Sequence, residues 1–361
     1  MSFYLEKDYF ADEELFNLVN QVMQGNLTLH WFDAKTEPVR AVPSDPQRGL
    51  TYDDTNIGSY GYDAIAETLR NKYTMAPRGA EIWGRLPDLG YTINRKSDVW
   101  SENVARLYEE AKSRRWAPAV DVPWGALAEA KLPREIEASV AQLSTTLEEI
   151  ALVGLEMPSR WVCVINQEFL EMKSFLCAQM IDQARHLEVF RKRALVGGQG
   201  LKRASVAAEQ ALKEILFAET YPAASLALNL MLGSGLLTLY RFAAAVAPSA
   251  VERTMFTLAL QDQARHVAYG MGHMRYHLAH QPQQVEALGE YLDRTEHCLF
   301  GVLAAPELLE ALLVISGRRE RVARFLERAV QEYLERCERV GLAGRRARSR
   351  LLPTLTQILA A

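Results

Sequence analysis

The sequence predicts an all-α fold, a four-helix bundle with additional N- and C-terminal helices, on three observations. From Leu132 onward apolar residues recur at helical spacing over long stretches. The breaks between these stretches are short and marked by glycine or proline. One pentapeptide, Asp-Gln-Ala-Arg-His, occurs at Asp182–His186 and again at Asp262–His266, each time well inside a helical stretch. Long helices joined by short turns pack as antiparallel neighbours. With 361 residues, the chain can bury a substantial core without disulfides or a structural metal.

Residues 1–130 read as an N-terminal extension packing on the bundle. Helices are predicted over Glu13–Gln24, Tyr62–Tyr73 and Asp98–Arg114. Arg114–Gly125, RRWAPAVDVPWG, reads as an extended strap whose rings cover an apolar surface, because the residue before proline avoids helical geometry. Residues 131–281 form the four-helix core. Helix one opens at Pro133 and runs through Glu149 toward Glu156, continuing through Pro158 with a kink. Helix two runs from near Asn166 to about Leu195 and closes at Gly197-Gly198; helix three covers Ser205–Val246 with a break near Tyr221-Pro222. Helix four starts at Pro248 and Ser249 and ends near His280. In residues 282–361, helices over Gln283–Leu303, Glu307–Ser316 and Arg318–Gly341 complete the same domain.

Composition removes several functions. Lys+Arg is 41 against Asp+Glu 45, a formal charge of -4, which gives no electrostatic reason for nucleic acid as a partner. Cys163, Cys177, Cys298 and Cys337 form no C-x-x-C pair, against a zinc knuckle or redox dithiol. No phosphate loop, nucleotide or flavin fingerprint or nucleophile elbow is present. The N-terminus lacks the basic-then-apolar order of a secretion signal, so a cytoplasmic location is the expectation. Thr220–Tyr240 carries no charge and reaches membrane-spanning length, but Ser225, Asn229, Ser234 and two glycines interrupt it. A helix buried on all sides in a bundle, with no membrane, is the better explanation.

The duplicated pentapeptide carries the chemistry. Residues at i and i+3 share a helix face, so Gln183 with His186, and Gln263 with His266, project together into the bundle. Asp182 and Asp262 stand one turn before each histidine, where they can accept a histidine N–H or an arginine fork from a neighbouring helix. Such a pair of buried polar networks can equally serve only to fix helix register.

DQARHLEVF and DQARHVAYG resemble the D-E-x-R-H signatures of ferritin-like di-iron oxygenases and oxidases. The resemblance covers Leu132 to about His280 and extends to the strap, which is similar to an element ahead of the bundle in an atypical bacterial branch. It implies His186 and His266 as metal ligands, with Glu149, favoured over Glu148, as the carboxylate of helix one. It also implies Asp182, Asp262, Arg185 and Arg265 as partners behind the ligands. This sequence departs from that pattern: each Glu-x-x-His has become an amide, Gln183 and Gln263, and no acidic residue lies between Thr220 and Val251. The vacant glutamate position on helix three falls at Asn229 or Ser234. Two ferrous ions bring four positive charges that one carboxylate cannot balance in a poorly solvated interior.

Three readings follow. One is a ferritin-like oxidoreductase acting on a small organic substrate, with iron held as one ion by Glu149, His186 and His266. Another is a metal-free enzyme with His186 or His266 as acid–base group beside Glu149. The third is a non-catalytic subunit or a small-molecule-binding protein. The small residues Ala178, Ala184, Ala224, Ala227, Gly233, Ser234 and Gly235 either open a cavity for an apolar or amphipathic organic ligand or permit close helix packing. In the first case Glu149, Gln183, His186, Gln263 and His266 line its polar end, and Tyr240 or Tyr269 adds a hydrogen bond. The stripe His266, Tyr269, His273, His277 and His280 reads as helix-end and surface residues or as a divalent-ion site. The arginines from Arg336 to Arg350 read as a solvated helix end or a contact for an acidic partner, and Leu303–Ile315 as a cap on the bundle or a homodimer surface.

Overall fold

The computed structural model describes residues 8–28, 38–64, 75–80 and 89–360, and among them every element is helical. The chain divides into two compact units, Met1–Asn94 with Asn166–Glu168, and Arg95–Ile165 with Phe169–Ala361. In the first unit α1 spans Glu13–Met23, its start set by Asp12, whose side chain accepts from the Leu15 amide. A turn in the same unit is organised by Asp54, which accepts from the Ser44 and Thr51 amides and the Thr51 hydroxyl; these bonds hold its carboxyl well below the usual carboxylate range. The helix predicted over Tyr62–Tyr73 lies for the most part outside the described residues.

The second unit contains the bundle. A helix over Val104–Ser113 (α2) and a short one over Ala126–Ala130 (α3) precede it. Between them Arg114–Gly125 forms a run of turns rather than an extended strap, because the Ala117 amide donates to Asp121 and the Val120 and Asp121 amides fold back on the Ala117 carbonyl. The four long helices are α4 (Arg134–Val162), α5 (Leu170–Val196), α7 (Tyr221–Ala245) and α8 (Ala250–His280). Short turns make α4 with α5, and α7 with α8, into two hairpins packed along their length. Between the hairpins, α6 (Val206–Leu216) starts at Ser205, which caps the Ala208 amide; Thr220 and Ser249 cap α7 and α8 in the same way.

Two features of the long helices bear on the site. Pro158 stays inside α4 and can supply no amide hydrogen to the Gly154 carbonyl one turn back. In α7 the segment Leu226–Leu232 is wound as a π-helix, with Asn229 at its centre. The most apolar window of α7 is buried along its whole length, so the uncharged run is the bundle's core helix. Phe190, Tyr240 and Phe256 stack against one another within that core. At one end Arg193, fully buried, joins Glu137 of α4 at 2.9 Å and Glu252 of α8.

The C-terminal helices are α9 (Gln284–Leu303), α10 (Pro306–Ser316), α11 (Arg319–Arg339), α12 (Arg345–Arg348) and α13 (Leu351–Ala360). α10 packs on α4, α9 on α6 and α11 on the second half of α7. The C-terminal arginines are largely paired within the chain: Arg336 with Glu332, Arg345 with Asp293 and Glu296, Arg346 with Glu338, and Arg348 with Asp293 and Glu286.

Candidate functional site

Both pentapeptides face the middle of the bundle and interlock. His186 donates through Nε2 to Asp262 Oδ2 at 3.1 Å, and His266 donates through Nε2 to Asp182 Oδ2 at 3.1 Å. Each aspartate also accepts from the arginine of the opposite repeat, Arg265 on Asp182 at 3.0 Å and Arg185 on Asp262 at 3.2 Å. Each takes in addition the arginine three residues further along its own helix. Trp116 enters on one side only. Its Nε1 donates to Asp262 Oδ2 at 2.8 Å, its ring stacks on His186, and the Arg185 guanidinium lies over it at 5.3 Å.

Charge within this cluster balances without help. Asp182 and Asp262 offset Arg185 and Arg265 within the cluster. Burial alone pushes the Asp262 carboxyl up, but the hydrogen bond and charge of His186, with Arg265 and Arg185, outweigh it and hold the group below the usual carboxylate range. Burial holds the His266 imidazole below its ordinary value although Asp182 opposes the shift.

The inner ring nitrogens decide what the site can hold. With Nε2–H given to Asp182, a neutral His266 presents a lone pair on Nδ1, and Gln183 Nε2 donates to it at 3.3 Å. His186 Nδ1, Gln263 Oε1 and Ser234 Oγ are each buried without hydrogen-bond partners in the protein. The two amides lie against glycines. A Cβ at Gly154 of α4 would stand 2.7 Å from Gln183 Cδ, and one at Gly233 of α7 would stand 2.9 Å from Gln263 Nε2. Gly154 and Gly233 thus leave room for the two amide side chains between helices.

Asn229, at the π-segment, accepts from Gln179 Nε2 at 2.8 Å and donates to Ser225 Oγ at 3.2 Å. Ser225 continues to His273 Nδ1 at 3.0 Å, and His273 donates through Nε2 to the Asp98 carbonyl at 2.9 Å. Burial and the neighbouring His277 push His273 down to about 3, so both its nitrogens serve as the neutral ring's donor and acceptor. His277 bonds the Ser97 carbonyl and Tyr269 donates to the Val99 carbonyl, so this stripe clamps residues 97–99 onto α8; exposed His280 bonds back to Tyr276. Tyr269 also accepts from Tyr221, while Tyr240 presents its ring to His186 edge-on at 6.0 Å. Burial raises both phenols.

Glu149 requires a correction. It is half-buried, and the charges that press on it are Glu209, Glu148 and Glu307, none of them in the interlocked cluster; burial, then these, raise its carboxyl. On either side of Glu149 the buried α4 positions include Leu147, Ile150, Ala151 and Gly154, the last of them against Gln183, while Glu148 pairs with Arg191 on the surface at 2.8 Å. The carboxylate meant to join His186 and His266 therefore faces the flank of the bundle.

The donor set does not fit a two-metal centre. Among the described residues no group of three or more His, Cys, Asp or Glu side chains is arranged to hold a metal ion. The carboxylates that touch the histidines among the described residues, Asp182 and Asp262, are already covered by guanidinium and imidazole N–H groups. Adding two dications would leave their charge unbalanced in a buried space. Trp116, Gly154 and Gln179 were not singled out from the sequence. Gly154 gave a signal, as the lone glycine of a long helix one turn before a proline; Gln179 gave one by standing a turn before Gln183.

No family model matches the chain, and no curated protein matches its sequence. Solved structures do. An R2-like ligand-binding oxidase with its aerobically reconstituted metal cofactor after photoconversion is 19% identical with a TM-score of 0.54, covering 68% of this chain and 95% of that one. A mutant of an R2-like ligand-binding oxidase with an aerobically reconstituted Mn/Fe cofactor is 21% identical with a TM-score of 0.51, covering 68% and 96%. At this identity the likeness is one of fold, and the chain has the ferritin-like helical-bundle fold.

Proposed function

We propose that this chain is a ferritin-like protein that binds a small, largely apolar organic molecule in the middle of its bundle and does not assemble a two-metal oxygen-activating centre. The observation that carries the second half is the Gln183 Nε2 contact on His266 Nδ1, which puts an amide hydrogen on the lone pair a metal would need. The first half is supported by His186 Nδ1, Gln263 Oε1 and Ser234 Oγ, three buried polar atoms without hydrogen-bond partners in the protein. A ligand bearing a hydroxyl or amine at one end would satisfy them. The similar solved structures are described as R2-like ligand-binding oxidases, one with a Mn/Fe cofactor and one with a metal cofactor; ligand binding is carried over here and the metal pair is not.

His186 favours a second reading. Its Nδ1 faces no amide hydrogen, so one divalent ion, iron in the first instance, could sit there with Gln263 Oε1 as a neutral oxygen ligand. Metal analysis of protein expressed with added iron and manganese, combined with native mass spectrometry, separates the cases. Substoichiometric metal and an added organic mass support the proposal. One ion per chain that disappears in His186→Ala supports the second reading. Two ions per chain overturn both.

A further inference from the structure

A groove of about 510 Å³ runs between the second half of α7 and α11, away from the histidine cluster. Its floor is apolar: Phe242 and Phe325 stack with ring centres 5.1 Å apart and planes 23° from parallel. Four guanidinium groups, Arg241, Arg321, Arg324 and Arg328, stand around that floor, and no carboxylate lines the groove. The nearest balancing charge is Glu332, which Arg241 approaches at 2.9 Å, Arg328 at 2.6 Å and Arg336 at 3.0 Å. One carboxylate thus serves three cations, and those bonds outweigh burial and hold it at about 2. Arg321 and Arg324 have no ion-pair partner among the described residues; the Arg324 Nε–H donates only to the Glu320 carbonyl.

This local surplus of positive charge occurs in a chain whose formal net charge is -4. Arginines are common on helix surfaces, but here four of them ring an aromatic floor, while Glu320, Glu327 and Glu332 of α11 are not among the residues that line the groove. Guanidinium forks match phosphate and carboxylate oxygens, and they bind more strongly where an apolar wall excludes water from one side. The volume falls in the range of roughly 300–1,000 Å³ typical of small-molecule sites.

We propose that this groove binds a small organic dianion, a phosphate monoester or dicarboxylate carried on a flat apolar body, with the body on Phe242 and Phe325 and the charge between Arg321, Arg324 and Arg328. The site is independent of the reading given for the bundle centre. Isothermal titration of the full chain with 2-naphthyl phosphate, naphthalene dicarboxylate, inorganic phosphate and 2-naphthol tests it. Expected is saturable binding of one naphthyl dianion per chain, at least about tenfold tighter than phosphate or naphthol alone and weakened by added salt. The preferred dianion identifies which anionic head the groove takes. The variant Arg321→Ala/Arg324→Ala, both exposed and without ion pairs, should keep the wild-type melting temperature and lose about tenfold or more in affinity. Naphthyl dianions binding no better than 2-naphthol, or binding the double variant as well as the wild type, would overturn the proposal.

Discussion

Gln183 Nε2 donates to His266 Nδ1 at 3.3 Å, whereas the corresponding amide of the second repeat, Gln263, leaves its Oε1 without a partner. The duplicated motif is therefore asymmetric in energy although symmetric in sequence. Gln183→Leu keeps the volume but strips a buried acceptor of its donor, and a loss of about 1–3 kcal/mol is expected. Gln263→Leu removes an oxygen that is already unsatisfied, so it should cost much less or stabilise. Urea unfolding of the two variants checks this; equal losses would contradict the asymmetry.

Gly154 and Gln183 form one packing unit across the α4–α5 interface. A helical Gly→Ala change ordinarily gains about 1 kcal/mol from propensity. Here the new Cβ would meet Gln183 Cδ at 2.7 Å, and overpacking of about 1–3 kcal/mol opposes that gain. Gly154→Ala should thus be destabilising in the wild type and neutral or stabilising in a Gln183→Ala background. A double-mutant cycle reads the coupling directly, and strict additivity would show that the two residues do not compete for space.

Three buried histidines set the pH dependence. Burial depresses His266, His273 (to about 3) and His277 below the 6.5 of an exposed imidazole. Folding keeps them neutral while the unfolded chain takes up protons as pH falls through about 6.5, so the unfolded state binds more protons. Their contribution is full above that value and is lost as pH falls toward the folded-state values. Asp262, also depressed, adds a further loss below about pH 4. Denaturation midpoints should fall steadily from pH 7 to 5, less steeply in His273→Gln. A flat profile over that range would show that the rings are accessible to protons in the folded state.

The helices and the interlocking residues were legible because helical periodicity and the repeated pentapeptide both survive reading one letter at a time. The inward face of α4 was not. Glu149 lies at a workable sequence distance from Gln183, but a helix turns by about 100° per residue, and that rotation separates Glu149 from Ile150. Leu147, Ile150 and Gly154 share the buried face, and Glu149 lies off it. The π-segment was invisible for a different reason: Leu226–Leu232 is apolar except for Asn229, and a uniformly buried run has no polar face by which to judge its winding. The run of turns at Arg114–Gly125 hid Trp116 among residues that looked like a cover for apolar surface.

Trp116 offers the most local test of the network. Its Nε1–H is one of the three donors on Asp262 Oδ2, with His186 and Arg185 as the others. Trp116→Phe retains an aromatic ring for stacking on His186 and removes only the donor. A hydrogen bond to a buried charged group is worth about 1.5–3 kcal/mol, and the two remaining donors should absorb part of that loss. The variant should therefore melt a few degrees lower while keeping its helical circular dichroism. Trp116→Ala removes the ring as well and uncovers His186 and Arg185, so it should fall further, in line with the about 3–5 kcal/mol lost on emptying a buried aromatic site. If Trp116→Phe instead matches the alanine variant, the indole N–H rather than the ring is what holds the turn region to the bundle.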